Sequence, residues 1–310
     1  MTPLLRMDAQ VAAFEDALAR GRLHHAWLLT GPEGVGKASF AWRAAARLLG
    51  ASSFDPPDDD PALRLMTAGS HPDFVKLERE EERGALRKVI SVDQARRLPE
   101  FFAKAPAVAR YRVAIIDAAD DLNPNAANAV LKTLEEPSAR GVILLVSHAP
   151  GRLLPTIRSR CRRLGFAPWP TGEVADVLRA RGLDPSLAEL ADGSPGRALA
   201  LAEQGALQVD AEAEALIGAV GPARQLAAQA LADGLRGEAG KLRFALIVER
   251  LAAAARRRAL AADGAGGDAW AKAWAALEGL TPMVEGLNLD RADALAAALA
   301  EIDTARRAVA

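Results

Sequence analysis

Hydrophobic positions in this 310-residue chain follow two rhythms. Through the first half, short unbroken apolar runs alternate with stretches of helical spacing. Ala26–Thr30 (AWLLT) is such a run and ends in a glycine-rich turn. The KASFAWRAAARLL stretch after it reads as helix, with Gly50 placed to end it. Asp73–Leu77 (DFVKL), Tyr111–Ile116 (YRVAII) and Gly141–Val146 (GVILLV) are further strand-like runs, and Arg162–Phe166 (RRLGF) is a candidate for one more. Between them, Asp55–Pro61 is an acidic, proline-rich loop. Ser91-Val-Asp-Gln94 spells a capping box that predicts a helix running to about Lys104. Asn123-Pro124 supplies an N-cap and a first-turn proline for a helix that stops before Pro137. Apolar strands alternating with helices predict an α/β domain whose parallel sheet is covered on both faces.

After Pro168-Trp169-Pro170 the strand pattern disappears. Thr171 to about Glu203 reads as short helices around the turn DGSPGR, and from Gly205 apolar residues recur at i, i+3, i+4 to the end. Breaks are expected at Val220–Pro222, Gly264–Gly267 and Asn288–Asp290. Trp270 and Trp274, four apart, share a helix face, and the run Arg256–Arg258 reads as a solvated face. The division is threefold: an α/β domain over 1–167, a small helical domain over 168–204 and an all-α domain over 205–310.

Composition narrows the class. Half of the residues are hydrophobic, a quarter are charged and the net charge is -1, so no global basic excess argues for autonomous nucleic-acid binding. The single cysteine, Cys161, excludes an internal disulfide and a cysteine-based zinc site, which suits a reducing cytosol. Asp8 stands where a signal peptide would need an apolar core, and the apolar runs are short or interrupted by charge. A cytoplasmic protein without a membrane span is expected. His24, His25, His71 and His148 show no metal-ligand spacing.

The turn after the first strand carries the clearest chemistry. Gly31, Pro32, Glu33, Gly34, Val35, Gly36 and Lys37 fit G-x-x-x-x-G-K, between a strand and a helix. Glycines let backbone N–H groups turn toward phosphate oxygens, the helix start adds its dipole, and Lys37 adds a point charge. The next residue should carry a magnesium-binding hydroxyl and is Ala38. Ser39 is one position late and points about 100° away on a helix. Asp117, at the end of the Tyr111–Ile116 strand, is the candidate acidic partner for a magnesium ion.

The segments NAANAVLKTLEEP (Asn125–Pro137) and LLPTIRSRC (Leu153–Cys161) resemble AAA+ clamp-loader subunits of bacterial DNA polymerase III, and the resemblance runs over nearly the whole chain. It implies a RecA-like AAA+ domain, a helical lid and a helical collar that joins subunits into a ring. In hydrolysing members a glutamate follows the strand-end aspartate, whereas here that residue is Ala118. The missing hydroxyl and glutamate, with the retained SRC triplet and the tail NLDRADAL (Asn288–Leu295), favour a non-hydrolysing member. Such a member is a stator that can hold ATP or ADP while hydrolysing it poorly; a hydrolysing motor subunit is the alternative. The resemblance makes Arg160 an arginine finger offered to a neighbouring subunit's nucleotide. It makes Ser147 a first sensor position, read equally well as a strand-end serine capping the next turn, and Arg197 a second sensor on the lid. Implied partners are the gamma/tau motor and delta subunits and, through them, the sliding clamp and primer–template DNA. Relatives with a four-cysteine zinc module carry it where this chain has Ala51–Ser70 and no cysteine, so zinc is not expected.

Overall fold

The computed structural model describes residues 6–82, 85–86, 89–219 and 221–309. The chain divides into two compact units, one ending at Leu199 and the other beginning at Ala200. The first contains α1 (Asp8–Ala19), β1 (Ala26–Thr30), α2 (Lys37–Leu48), α3 (Pro61–Thr67) and β2 (Phe74–Glu78). A two-residue antiparallel pair follows, β3 (Glu81–Glu82) and β4 (Ala85–Leu86). Then come α4 (Val92–Ala95), α5 (Arg97–Ala103), β5 (Arg112–Asp117), α6 (Pro124–Glu135), β6 (Gly141–Ser147), α7 (Pro155–Ser159) and β7 (Arg162–Gly165). The short helices α8 (Thr171–Arg179), α9 (Leu187–Leu190) and α10 (Pro195–Glu203) complete the series.

Five strands form one parallel sheet in the order β2-β5-β6-β1-β7. Alternate residues of each strand feed opposite faces. Trp27, Leu29, Val113, Ile115, Leu144 and Val146 meet Phe14, Phe40 and Phe54 on one side. Ala26, Leu28, Ala114, Ile116, Ile143 and Leu145 meet Leu98, Val130, Leu134 and Ile157 on the other. Burial on both faces is why these strands read as continuous apolar runs.

A buried ionic node fixes the sheet edge. The Asp73 carboxylate accepts N–H groups of Ala107, Val108 and Ala109 at 2.7–3.0 Å and lies 3.4 Å from Arg112. Arg112 donates to the carbonyls of Phe101 and Pro72 and stacks over the Phe101 ring. Burial opposes ionisation of Asp73, but the three N–H donors and Arg112 overcome it and hold its pKa below the ordinary value.

Three local expectations need correction. The helix after the Ser91 capping box is interrupted at Arg96 and continues as α5. Pro99 has no N–H to offer the Ala95 carbonyl, and its ring crowds that turn. Asp55–Pro61 does not remain a loop to its end: Asp60 is buried and caps α3, accepting N–H groups of Ala62 and Leu63, with Pro61 at the first helical position. Gly264–Gly267 is not a break but the first turn of a helix, and the interruption falls at residues 262–263.

The second unit contains α11 (Ala206–Gly218), α12 (Pro222–Ala232), α13 (Gly237–Ala261), α14 (Gly264–Leu287) and α15 (Arg291–Arg307). The expected break at 220–222 includes Val220, which lies outside the described residues; α12 begins at Pro222. Asn288, in the left-handed region, ends α14, and Asp290 caps α15. Phe244, Ile247, Leu251, Trp270, Leu277, Leu295 and Ile302 are buried. The run Arg256–Arg258 lies on a largely solvated face, as expected, and its guanidiniums are engaged there. Arg257 and Arg258 pair with Glu214, Arg256 stacks over Trp274 and Arg258 over Trp270. Among the described residues no helix is long and apolar enough to cross a membrane.

Candidate functional site

The glycine loop joins β1 to α2, and Gly36 in the left-handed region is the N-cap. Two of its glycines are required by close approach. A Cβ on Gly31 (φ 150°) would lie 2.1 Å from the Phe166 carbonyl oxygen. One on Gly34 (φ 74°) would lie 2.2 Å from Ser194 Oγ and 2.8 Å from the Arg197 amide nitrogen. Gly196 N–H donates to the Gly34 carbonyl at 2.9 Å, which seats the start of α10 on the loop.

Lys37 is buried, and its ammonium donates to the loop's own carbonyls, Gly31 O at 2.7 Å and Pro32 O at 2.5 Å. Burial pulls its pKa down to about 8 against the upward pull of Asp120, Glu33 and Asp117. Ala38 is exposed. Val35 and Ser39 line a mainly apolar cavity of about 160 Å³ behind the loop, together with Met7, Trp169, Val177 and Leu199. None of those last four is signalled by the glycine motif, since their sequence distances are long.

The strand order inserts β6 between β1 and β5, so the end of β6 lies between the ends of the strands that carry the loop and Asp117. Burial raises the pKa of Asp117, with Lys76 and His148 pulling the other way; Lys76 Nζ lies 3.9 Å away. Ala118 is buried. Ser147 is fully buried, and its hydroxyl donates to Asp120 at 2.9 Å. The same carboxylate accepts the N–H groups of His148 at 2.6 Å and Ala149 at 3.2 Å. Asp120 was not singled out from the sequence; it sits in the VAIIDAAD stretch, and only folding brings it to β6. Arg197 lies beside the loop through its backbone, but its guanidinium pairs with Asp192 at 3.1 Å.

Arg160 has its partners elsewhere. It ends α7 with its side chain about a third exposed. Its guanidinium donates to the Thr156 carbonyl at 3.0 Å and pairs with Glu135 at 2.9 Å. Its neighbours are spent differently: Arg162 stacks over Trp27, and Arg163 donates to the Thr30 hydroxyl at 3.0 Å. Burial pushes the Cys161 thiol up to about 12, which leaves it unreactive at neutral pH. Among the described residues no group of three or more His, Cys, Asp or Glu is placed to hold a metal ion.

A glycine loop on the first strand of such a sheet, with an aspartate at the end of the strand beyond the inserted one, defines a P-loop domain of the parallel α/β class. The family model described as DNA polymerase III, delta subunit, matches residues 7–170. DNA polymerase III subunit delta' of Pseudomonas aeruginosa is 40% identical over 205 residues, 63% of this chain and 61% of that protein. The like-named Escherichia coli protein is 34% identical over 212 residues, 64% of this chain and 60% of that protein, and the Bacillus subtilis one 32% over 181 residues, 56% and 52% respectively. The matches thus span about three fifths of the relatives' own length or less. A solved gamma subunit-related protein of Thermotoga maritima aligns with 94% of this chain and 99% of its own, at 19% identity and a TM-score of 0.48. The chain belongs to the DNA polymerase III delta subunit family.

Proposed function

We propose that this protein is a non-hydrolysing stator of a bacterial clamp loader, and that it supplies Arg160 in trans to the nucleotide of a neighbouring subunit. It acts in the cytoplasm during DNA replication, as a component of a DNA polymerase III holoenzyme. The partners are gamma/tau-type motor subunits and a delta subunit, and the assembly acts on a sliding clamp at primer–template junctions. The relatives named as delta' and gamma/tau subunits support that context.

The observation that carries the reading is the contrast between Ala38 and Ala118 in this chain's own site and the partly exposed guanidinium of Arg160. Gly31–Ser39 would hold the phosphates of ATP or ADP, with Lys37 as the charge. The apolar cavity beside Met7 and Trp169 would receive a flat base. With no hydroxyl at Ala38 and no carboxylate at Ala118, the site lacks a magnesium ligand and a group to orient water. A guanidinium offered across a subunit boundary offsets charge that develops on a transferring phosphoryl group.

Reconstitution with motor and delta subunits tests this. Arg160→Ala is expected to assemble normally and to lower both ATP turnover and clamp loading, while the purified chain alone turns over no ATP. Turnover by the chain alone, abolished by Lys37→Ala, would instead make it a motor.

A further inference from the structure

Glu135 belongs to the segment LKTLEEP, which the proposed function leaves without a role. It is the last residue of α6, and its carboxylate lies 2.9 Å from the Arg160 guanidinium. The second hold on Arg160 is the Thr156 carbonyl, one turn back in its own helix.

Most ion pairs on a protein surface order little, because water screens the charges and holding two long side chains in one geometry costs entropy. Here a second hold, the Thr156 carbonyl, adds to the charge, and both backbones are anchored in one core. Leu134, next to Glu135, and Ile157, three residues before Arg160, are buried in the same core beneath the sheet, and Cys161 packs against it. The backbones that carry the two charges are therefore fixed relative to one another. The Thr156 carbonyl accepts one N–H of Arg160, and the Glu135 carboxylate holds the other terminal nitrogen by charge at 2.9 Å. A guanidinium has five N–H donors, so at least three remain for another anion. The pair can restrain the arginine without consuming it.

We infer that Glu135 is a positioning residue: its carboxylate fixes the rotamer of Arg160 in the free subunit, so that the guanidinium meets a neighbour's phosphates already ordered. This rests on the reading of Arg160 as an arginine supplied in trans. An ordered donor has less motion to lose at the transition state, so the benefit lies in kcat more than in KM.

Two measurements test it. The first uses the full chain alone and follows the Arg160 guanidinium N–H signals by ¹⁵N NMR. Rotation is expected to be restricted in the wild type and free in Glu135→Ala and in the uncharged Glu135→Gln. Free rotation in the wild type overturns the proposal whatever Arg160 does in a complex. The second uses the complex reconstituted with motor and delta subunits. Glu135→Ala is expected to lower kcat for ATP about 3- to 10-fold with KM little changed, Glu135→Gln to behave likewise, and Glu135→Ala to add nothing on top of Arg160→Ala. A wild-type or higher kcat in Glu135→Ala, with Arg160→Ala impaired, sinks the positioning role and leaves the trans reading standing. An unimpaired Arg160→Ala removes both.

Discussion

The glycine loop and the turn at Arg160 are both built from polar residues, yet they spend them in opposite ways. At the loop, the charged and polar groups are used internally. Lys37 is bound to two carbonyls of its own loop, Ser147 is bound to Asp120, and Gly34 is pressed against the start of α10. At the turn, Arg160 keeps two holds and leaves most of its donors open. The difference teaches that the residues of a recognisable motif can be tied up in local architecture while a less conspicuous residue keeps donors available. Substitutions at the loop should then be felt in folding, and substitutions at the turn in rate.

The largest expected effect is that of Arg160→Ala. At the neighbouring nucleotide to which the proposal assigns it, hydrolysis in a reconstituted ring should fall by about 10²-fold or more, since arginine fingers elsewhere contribute about 10³–10⁵. The thermal midpoint of the isolated chain should hold, because the lost ion pair is half-exposed. A large drop in stability with little change in rate would reverse the contrast.

Next comes Gly31→Ala. Its Cβ would meet the Phe166 carbonyl at 2.1 Å in a conformation that L residues rarely adopt. A loss of about 2–4 kcal/mol in urea unfolding is expected, with ring activity much less affected at a temperature where the variant is folded.

A smaller effect concerns Lys37 and pH. Burial lowers its pKa from 10.5 to about 8 in the folded state, so between those values the unfolded chain holds more protons than the folded one. Stability should rise with pH across that window. Relative to Lys37→Met, the wild type is expected to gain about 2 kcal/mol from pH 8 to 10.5 in urea titrations. A flat difference would mean that the ammonium is well solvated and that the loop is looser than described.

The smallest effect sharpens the other side. Cys161 adjoins Arg160, and burial raises its thiol to about 12. Modification by a thiol reagent at pH 8 should be at least about 10-fold slower in the native chain than in urea. Rapid native labelling would show that the turn lacks the packing that fixes Arg160.

The sequence revealed much of the fold because its strands are buried on both sides. Such strands must be apolar throughout, and the runs at Ala26, Tyr111 and Gly141 announce them. The Ser91 capping box and the Asn123 cap were legible for the opposite reason: their hydrogen bonds close within three residues. The interruption at Arg96 was legible in principle from Pro99, but the stronger cap signal outweighed it.

What the chain by itself determined was therefore local or periodic: the parallel α/β layering, the glycine loop with Ala38 in place of a hydroxyl, and the change to all-helical spacing after Pro170. What only the tertiary structure decided was the pairing of polar groups. Asp120 holds Ser147 across 27 positions, Arg112 closes on Pro72 across 40, and Arg160 meets Glu135 across a strand and two turns. Periodicity records which side of an element faces the core, because burial acts on each residue separately. A hydrogen bond depends on two residues at once, and which two meet is set by how the strands are ordered in the sheet.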